Sequence, residues 1–462
     1  VNSANSQGST SLMAAAYNGH KDIVTVLVNK DADLNARDKQ GNTALHYAAE
    51  RGHLSVVKIL VKLDAQVLVN DDGLTPLKLA CNACQDDVMK FFVLRPRTTR
   101  YEIIEALELL GATYANHPDK NNTEKAYKLL STAMHHRYNE PDSDVLHKFV
   151  RPAVRAYGYR FECQTPEELE GIKTNPDAVH MEGLIARERL LRTKNLSIPL
   201  HIRYRGACLA DSGRYQEALE LWKYAVKLDQ KNGHHSFDQL FRIGQLMTQM
   251  TREKQAPAFT HVEELFGLLL NDMEKLRNGD EDVGKKNKFD KETETRVEEA
   301  QLVTVIYVAI FLELDFARKE HRRFMKHVKK FLFLEKEMNQ GGNTLLHQVV
   351  SKDVFHRDKE MNQICKLPSA EIVRLLIEAG ADPNAKNRKG CSPLHIIASF
   401  TKEDPDSKQT SSSSAQIDII KDLLMAGANR DAENEEMLTP AEYAQLDQIK
   451  TFISTFVTNN LS

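Results

Sequence analysis

The sequence is poor in cysteine, in long apolar runs and in charge of one sign. Six cysteines among 462 residues lie far apart, which excludes a secreted disulfide scaffold and favours the cytoplasm or the nucleus. The longest apolar run, Leu302–Leu312, is too short to span a bilayer and favours a buried helix. Lys and Arg number 62 against 65 Asp and Glu, so there is no bulk cation excess for phosphates. We therefore expect a protein that binds neither nucleic acid nor membrane.

Motifs that carry catalysis are also lacking. The chain has no Walker phosphate-binding loop, no G-x-S-x-G nucleophile elbow and no paired CxxC motifs of a zinc ribbon. The lone CxxC, Cys81-Asn-Ala-Cys84, supplies only two of the four ligands that structural zinc requires, so we interpret both cysteines as packing residues. We predict no catalytic residue, no metal site and no cofactor.

Internal repeats dominate what is present. Gly8-Ser-Thr-Ser-Leu-Met and Gly41-Asn-Thr-Ala-Leu-His lie 33 residues apart, and a third copy starts one residue early at Gly73. A 33-residue period with this consensus is the ankyrin signature. In each copy a Thr suits a helix N-cap, and a Gly after the first helix suits the left-handed conformation that ends it. These positions are Thr10, Thr43 and Thr75, then Gly19 and Gly52, with Cys84 in place of the third glycine.

A second ankyrin array follows towards the C-terminal end. Gly342-Asn-Thr-Leu-Leu-His and Gly390-Cys-Ser-Pro-Leu-His each start a unit, and Leu438-Thr-Pro-Ala begins a partial repeat. Insertions at 354–368 and 401–416 interrupt these units, and the second, with four consecutive serines, is typical of a flexible surface loop. Solenoids tolerate such insertions because each repeat contacts only its neighbours. We expect structural roles for the histidines at one repeated position, His46, His347 and His395.

The middle of the chain has a different helical pattern. Gly206 and Trp222 occupy packing positions of the tetratricopeptide template, which predicts two antiparallel helices over 203–230. The charged residues 279–295 are typical of an exposed loop. The predicted fold class is all-α: an ankyrin-repeat solenoid, a tetratricopeptide-like middle domain and a second ankyrin array. The predicted domains are residues 1–95, 96–335 and 336–462.

A protein-binding surface is predicted on the N-terminal repeats. Ankyrin arrays bind other polypeptides through their finger tips and their concave helix face. Tyrosines and arginines are the best anchors of such surfaces, so Tyr17, Tyr47, Arg37 and Arg51 are the predicted anchors. The predicted binding residues are Tyr17, Asn18, Arg37, Lys39, Gln40, Tyr47, Glu50, Arg51, Asn70, Asp71 and Asp72.

Several strings in the middle of the chain resemble the feminization (Fem-1) family. They are Tyr101–Tyr114, Thr165–Gly171, Ile185–Leu191, and Ile202–Gly213 leading to Leu221–Ala225. The order ankyrin, tetratricopeptide-like, ankyrin matches that family as well. The resemblance implies a non-catalytic substrate receptor of a cullin-2 RING ubiquitin ligase, joined to the cullin through elongin B and elongin C. Such receptors present target proteins, often by their C-terminal tails, and the family can also pair as a homodimer.

The resemblance also implies where the functional regions of the family lie relative to this chain. The family's target pocket lies in the early ankyrin repeats, and its elongin- and cullin-binding box follows the second array. Because this chain begins at Val1 and stops at Ser462, where that box would begin, we expect a fragment that lacks both.

The alternative is a general ankyrin–tetratricopeptide scaffold, which would need a carboxylate clamp such as Arg203 and Arg205. A hydrolase or transferase would need a pocket of converging titratable side chains.

Overall fold

The computed structural model confirms the all-α class. The regular elements of the described residues are helices, and one isolated β bridge joins Ala4 to Thr10. The chain separates into two compact units, Val1–Asn232 and Gly233–Ser462. This division falls inside the predicted middle domain, and the three predicted domain boundaries stay a prediction. The structure describes residues 1–138, 144–191, 195, 197–278, 291–314, 316–339, 341–351, 365–400 and 412–456.

The first unit begins with three ankyrin helix pairs, whose short inner helices stack on one another. The pairs are α1 (Ser11–Tyr17) with α2 (Lys21–Val28), α3 (Ala44–Glu50) with α4 (Leu54–Lys62), and α5 (Pro76–Asn82) with α6 (Asp86–Val93). The next helix, α7 (Arg100–Asn116), packs against α5, so the array continues directly into longer helices. The rest of the unit consists of α8 (Thr123–Tyr138), a 3-10 helix (Arg155–Tyr157), the short α9 (Pro166–Gly171), α10 (Pro176–Leu191), α11 (Ser197–Asp211) and α12 (Tyr215–Lys231).

The glycine turns and two of the three predicted threonine caps of the N-terminal repeats are present. Thr43 instead places its hydroxyl 2.9 Å from His46 Nδ1. Thr10 and Thr75 each accept a hydrogen bond at 3.3 Å from the backbone N–H three residues further on. Gly19 and Gly52 have φ values of 73° and 77°, in the left-handed region that glycine enters without strain. Cys84 occupies the same place in the third repeat with a φ of 55°. The repeat geometry is therefore kept where the consensus glycine is lost.

The repeated histidines connect the repeats that carry them to the following repeats. Nδ1 of His46, His347 and His395 accepts a hydrogen bond from the backbone N–H three residues earlier, at 3.1 to 3.2 Å. A backbone N–H can only donate, so Nδ1 is unprotonated and Nε2 carries the hydrogen. Nε2 then donates to a carbonyl oxygen of the following repeat, at 3.2, 2.9 and 3.1 Å. Burial lowers the pKa of all three rings, which keeps them neutral for this structural role.

Each finger turn is held by an Asn or Asp side chain. Asp38 Oδ1 accepts hydrogen bonds from the backbone N–H groups of Gln40 and Asn42, at 2.9 and 2.8 Å. Asn70 is its counterpart in the next repeat: its Oδ1 accepts from the Leu74 N–H at 2.8 Å, and its Nδ2 donates to Asn42 Oδ1 at 2.9 Å. Asn70 is consequently only 6% exposed. The expectation that Asn70 is an exposed binding position is therefore wrong.

Replacing Asn70 with Ala should lower the free energy of unfolding of the first unit by about 1–3 kcal/mol, because buried polar partners would lose their hydrogen bonds. Asp72→Ala, in the same finger but at an exposed position, is the matched control and should have no measurable effect. Urea unfolding followed by the fluorescence of Trp222, the single tryptophan, measures both. An unchanged unfolding midpoint for Asn70→Ala would contradict this role.

A network of buried charges connects α7, α8 and α10 with the segment 144–164. Its six side chains are each at most 9% exposed: Glu108, Arg137, Lys148, Glu162, Glu182 and Arg189. Glu108 accepts hydrogen bonds from Arg137 Nε at 2.8 Å and from Arg189 Nη2 at 2.7 Å. Burial alone would raise the pKa of Glu108, but the guanidinium groups of Arg189 and Arg137 outweigh it and lower that pKa to about 2.

The predicted helical hairpin at 203–230 is observed as α11 and α12. Gly206 allows the close approach of Trp222, since a Cβ at this glycine would lie 2.3 Å from the indole nitrogen. The indole N–H donates to the carbonyl oxygen of Arg203 at 2.9 Å. The small and large packing positions of the template therefore meet as the sequence predicts.

The second unit begins with four long helices, followed by ankyrin-type pairs. The predicted apolar run lies in the helix Lys291–Glu313 (α15), where Val305–Phe311 is buried. Within the described ranges, no helix combines the length and the apolar composition that a bilayer crossing requires. The helices are α13 (Phe237–Arg252), α14 (Phe259–Asn278), α15 (Lys291–Glu313), α16 (Arg318–Met338), α17 (Leu345–Val349), α18 (Ala370–Glu378), α19 (Pro393–Ala398), α20 (Ser412–Met425), α21 (Pro440–Tyr443) and α22 (Asp447–Thr455).

The predicted loops and insertions of the second unit fall largely outside the described residues. Residues 279–290, 352–364 and 401–411 are not described, but the ends of two predicted segments are helical. Residues 291–295 open α15, and 412–416 open α20, so the serine-rich insertion is shorter than expected. The end of this insertion joins α20 because Gln416 is buried, and its Nε2 donates to the carbonyl oxygen of Ile397 at 2.7 Å.

Candidate functional site

Three of the predicted anchors form one cluster on the inner helices of the N-terminal repeats. Tyr17 ends α1, Tyr47 lies on α3, and their rings meet edge to face with centroids 5.9 Å apart. The Arg51 guanidinium lies over the Tyr17 ring, 4.0 Å from its centroid. Tyr17 remains 37% exposed, and Arg51 is exposed. Aromatic rings and guanidinium groups are the usual anchors of protein interfaces, so this cluster has the composition expected of the predicted binding surface.

Asp38 fixes the second ring of the cluster. The Tyr47 hydroxyl donates a hydrogen bond to Asp38 Oδ2, while Asp38 Oδ1 holds the finger turn. Burial, followed by the contact with Asp38, raises the pKa of Tyr47 to about 12. The hydroxyl therefore stays protonated and the ring keeps one orientation before any partner binds.

The finger residues form a second, more exposed group. Arg37 Nη2 pairs with Asp71 Oδ1 of the next finger at 3.0 Å, with side chains 42% and 63% exposed. The Asp71 backbone N–H donates to the Gln40 carbonyl oxygen at 3.0 Å. The Lys39 N–H donates in the same way to the Gln7 carbonyl oxygen at 3.0 Å. The backbones of successive fingers are thus joined, and the side chains of Lys39 and Gln40 remain exposed.

The remaining predicted residues do not join these groups. Asn18 is exposed, but its Nδ2 donates to the Ala14 carbonyl oxygen of its own helix at 2.8 Å. Glu50 is half-buried, and burial raises the pKa of its carboxyl group. Asp72 is exposed on the third finger. The binding role of the whole set stays a prediction.

Two residues of this surface are absent from the predicted set. Asp38 orients Tyr47, and the His53 Nε2 lies 3.0 Å from the Tyr17 carbonyl oxygen. The signal for Asp38 was present in the sequence, because an Asn or Asp precedes each repeat start at the same spacing, as at Asn5 and Asn70. The contact of His53 joins two repeats and depends on how they stack.

The cysteine pair shows no features of a metal or redox site. Cys81 and Cys84 are free thiols, 0% and 6% exposed. Burial raises the pKa of Cys84 to about 11 and that of Cys81 further, so neither is a thiolate near neutral pH. In the part of the chain that the structure describes, no group of three or more His, Cys, Asp or Glu side chains could hold a metal ion.

The two candidate clamp residues are already paired within the chain. Arg203 Nη1 lies 2.5 Å from Asp229 Oδ2, and Arg205 pairs with Asp177. The Arg205 side chain is 9% exposed. A clamp for a partner's carboxylate needs cations that are free to bind it. Neither arginine meets that requirement here.

Comparisons with known proteins agree with the repeat architecture. A family model of ankyrin repeats in three copies matches residues 12–103, and a model of one ankyrin repeat matches 341–388. Protein fem-1 homolog C from Homo sapiens is 32% identical over 389 residues, 80% of this chain and 57% of that protein. Protein fem-1 homolog A from Danio rerio is 32% identical over 384 residues, 79% and 57% of the two chains. Protein fem-1 homolog A-like from Mus musculus is 28% identical over 480 residues, 93% and 69%. The chain thus spans little more than half the length of the first two relatives.

Proposed function

Because the chain belongs to the Fem-1 family, we propose that it is a protein-binding adaptor that recruits target proteins to a cullin-2 RING ubiquitin ligase. Its repeats bind the target, and elongin B and elongin C connect it to the cullin. The targets are polypeptides, often recognised by their C-terminal tails, and the adaptor acts in the cytoplasm or the nucleus. Holding a target lysine near the partner enzyme raises its effective concentration, so the adaptor needs no bond-making group of its own.

The aromatic and guanidinium cluster of the N-terminal repeats is the observation that supports this proposal most. Tyr17, Tyr47 and Arg51 are held by one another and by Asp38. A partner that binds them gains contact area without a large loss of side-chain entropy, because the rings are already ordered. Arg37 and Asp71 extend the surface towards the fingers with one charge of each sign.

The general scaffold is the weaker proposal. It depends on a carboxylate clamp, and its candidates, Arg203 and Arg205, are engaged by Asp229 and Asp177. The ligase adaptor remains the function that we propose.

The proposal is tested in the protein's natural reading frame, co-expressed with elongin B, elongin C and cullin-2. We expect the four proteins to co-purify, and a library of C-terminal peptides to yield bound sequences. Tyr17→Ala and Arg51→Ala should weaken the affinity for those peptides at least about tenfold, which corresponds to about 1.4 kcal/mol. Neither substitution should affect co-purification with cullin-2.

Tyr101→Ala is the matched control, because Tyr101 is 54% exposed on α7 and lies outside the cluster. It should leave peptide affinity unchanged. Failure of elongin and cullin-2 to co-purify would refute the ligase role. Peptide binding that survives both Tyr17→Ala and Arg51→Ala would refute the assignment of the surface.

A further inference from the structure

The segment 144–164 has an inverted pattern, with charges inside and aromatic rings outside. Lys148 and Glu162 are 8% and 7% exposed, whereas their neighbours Phe149 and Phe161 are 77% and 62% exposed. In most soluble proteins large apolar side chains are buried and charges are exposed. The reversal occurs at both ends of the same segment, so it requires an explanation.

The buried charges explain why the segment holds its position. Lys148 Nζ lies 3.0 Å from Glu162 Oε1 and 3.4 Å from Glu182 Oε1, and Arg189 Nε donates to Glu162 Oε2 at 2.7 Å. The Cys163 backbone N–H donates to the Glu182 carboxylate at 3.0 and 3.2 Å. Because these contacts draw Lys148 and Glu162 inwards, their aromatic neighbours are directed to the surface.

The middle of the segment is fixed by a second carboxylate. Glu188 pairs with Arg151 Nη2 at 3.0 Å and accepts a hydrogen bond from the Tyr157 hydroxyl at 3.0 Å. After the 3-10 helix, the Tyr159 backbone N–H donates to the Val154 carbonyl oxygen at 3.0 Å, which closes a tight turn. The Tyr159 ring at this turn is 64% exposed.

We propose that Phe149, Val150, Tyr159, Arg160 and Phe161, here named the aromatic loop surface, dock an acidic polypeptide segment that carries apolar side chains. Val150, Arg160 and Phe161 line one common cleft, and Phe149 and Tyr159 flank it in sequence. Exposed apolar patches of this kind mark interaction sites. Docking covers the exposed rings. The segment that carries them is already held in place in the free protein, so binding loses little conformational entropy.

The positive charge of the segment favours an acidic partner. Residues 149–161 contain three arginines and no Asp or Glu. Arg151 is engaged by Glu188 and Arg155 by Glu220, both at 3.0 Å. Arg160 is exposed and, among the described residues, its guanidinium forms no ion pair with the chain. It is therefore available for a carboxylate of the partner.

The number of unpaired cations on the aromatic loop surface favours a polypeptide partner over a nucleic acid or a membrane. Binding of a phosphate backbone or of anionic lipid needs several free cations together, since each contact neutralises one charge. The aromatic loop surface offers one. A polypeptide instead requires apolar contact with a few well-placed polar groups, which matches four apolar side chains beside one guanidinium.

The test uses the full chain and short synthetic, fluorescein-labelled peptides rich in Asp and Glu with interspersed Leu and Phe. Matched peptides replace the acids with Lys, or the apolar residues with Ser. Fluorescence anisotropy should show binding of the acidic, apolar peptides only. Phe149→Ser and Phe161→Ser should each weaken peptide binding at least about tenfold. Arg160→Glu should also weaken peptide binding, and this loss should be larger at low salt than at high salt.

Phe333→Ser is the matched control, because Phe333 is also exposed, at 57%, but lies on α16. It should bind the peptides like the wild type, as should Tyr17→Ala, which separates this surface from the ankyrin cluster. Circular dichroism melting checks that each variant folds. The proposal is overturned if the peptides do not bind, or bind equally to Phe149→Ser and Phe161→Ser. It is also overturned if polyuridine RNA or phosphatidylserine vesicles bind the wild type through these residues.

Discussion

Replacing Glu108 with Ala is expected to destabilise the first unit by about 3–5 kcal/mol, the typical cost of removing one partner from a buried ion pair. The Glu108 carboxylate is 1% exposed and accepts two hydrogen bonds from Arg137, at 2.8 and 3.0 Å. Arg189 would keep Glu162, with which it pairs at 2.7 Å. Among the described residues, Arg137 would keep only the Leu146 carbonyl oxygen, at 2.6 Å, and would become a buried cation without a carboxylate partner there.

Urea unfolding followed by Trp222 fluorescence measures this loss, because the single tryptophan lies in the first unit. The control is Glu124→Gln, which removes the exposed pair of Glu124 with Lys128 at 2.6 Å. An exposed ion pair contributes little, so the midpoint of the control should not move. A loss below about 1 kcal/mol in Glu108→Ala would mean that water or a rearranged partner compensates Arg137.

His201 should make the stability of the first unit strongly dependent on pH. Its Nδ1 lies 2.8 Å from the Ser197 carbonyl oxygen, and its Nε2 is buried without a hydrogen-bond partner among the described residues. Burial, followed by the nearby positive charge of Arg187, lowers the pKa of His201 to about 3. His117, whose ring centroid lies 6.2 Å away, has a pKa lowered in the same direction by burial.

The sign of the effect follows from proton counting. Between about pH 6.5 and pH 3 the unfolded chain binds a proton at His201 that the folded chain does not. The folded state is therefore fully stable with respect to His201 above pH 6.5, and it loses about 1.4 kcal/mol for each pH unit below that value. At pH 5 the loss amounts to about 2 kcal/mol.

The measurement is the urea unfolding free energy of the first unit across this pH range, again from Trp222 fluorescence. His201→Asn should reduce the slope of that free energy against pH by about one proton, whatever its effect on stability at pH 7. The pH 7 value of each protein serves as its own reference. Equal slopes in the wild type and in His201→Asn would show that the ring is protonated in the folded state.

Local pattern was sufficient to predict the repeats and the exposure of most of the predicted binding residues. The 33-residue spacing of Gly8 and Gly41, with a Thr two residues after each, defines caps and turns through contacts within a few residues. The clustering of Tyr17 with Tyr47 follows from the same period, since equivalent positions of stacked repeats meet. The burial of Asn70 does not follow from local pattern, because a polar residue in a turn is exposed or buried according to what its side chain binds.

The sequence by itself determined the helical repeats, their order and the positions that cap them, because each depends on neighbours close along the chain. Only the tertiary structure decided which charges are buried and which aromatic rings are exposed. Glu108 and Arg189 are 81 residues apart and meet only when α10 packs on α7. Lys148 and Phe149 are consecutive, and nothing in the string indicates that the charge points inwards, because the carboxylates that hold it come from other parts of the fold.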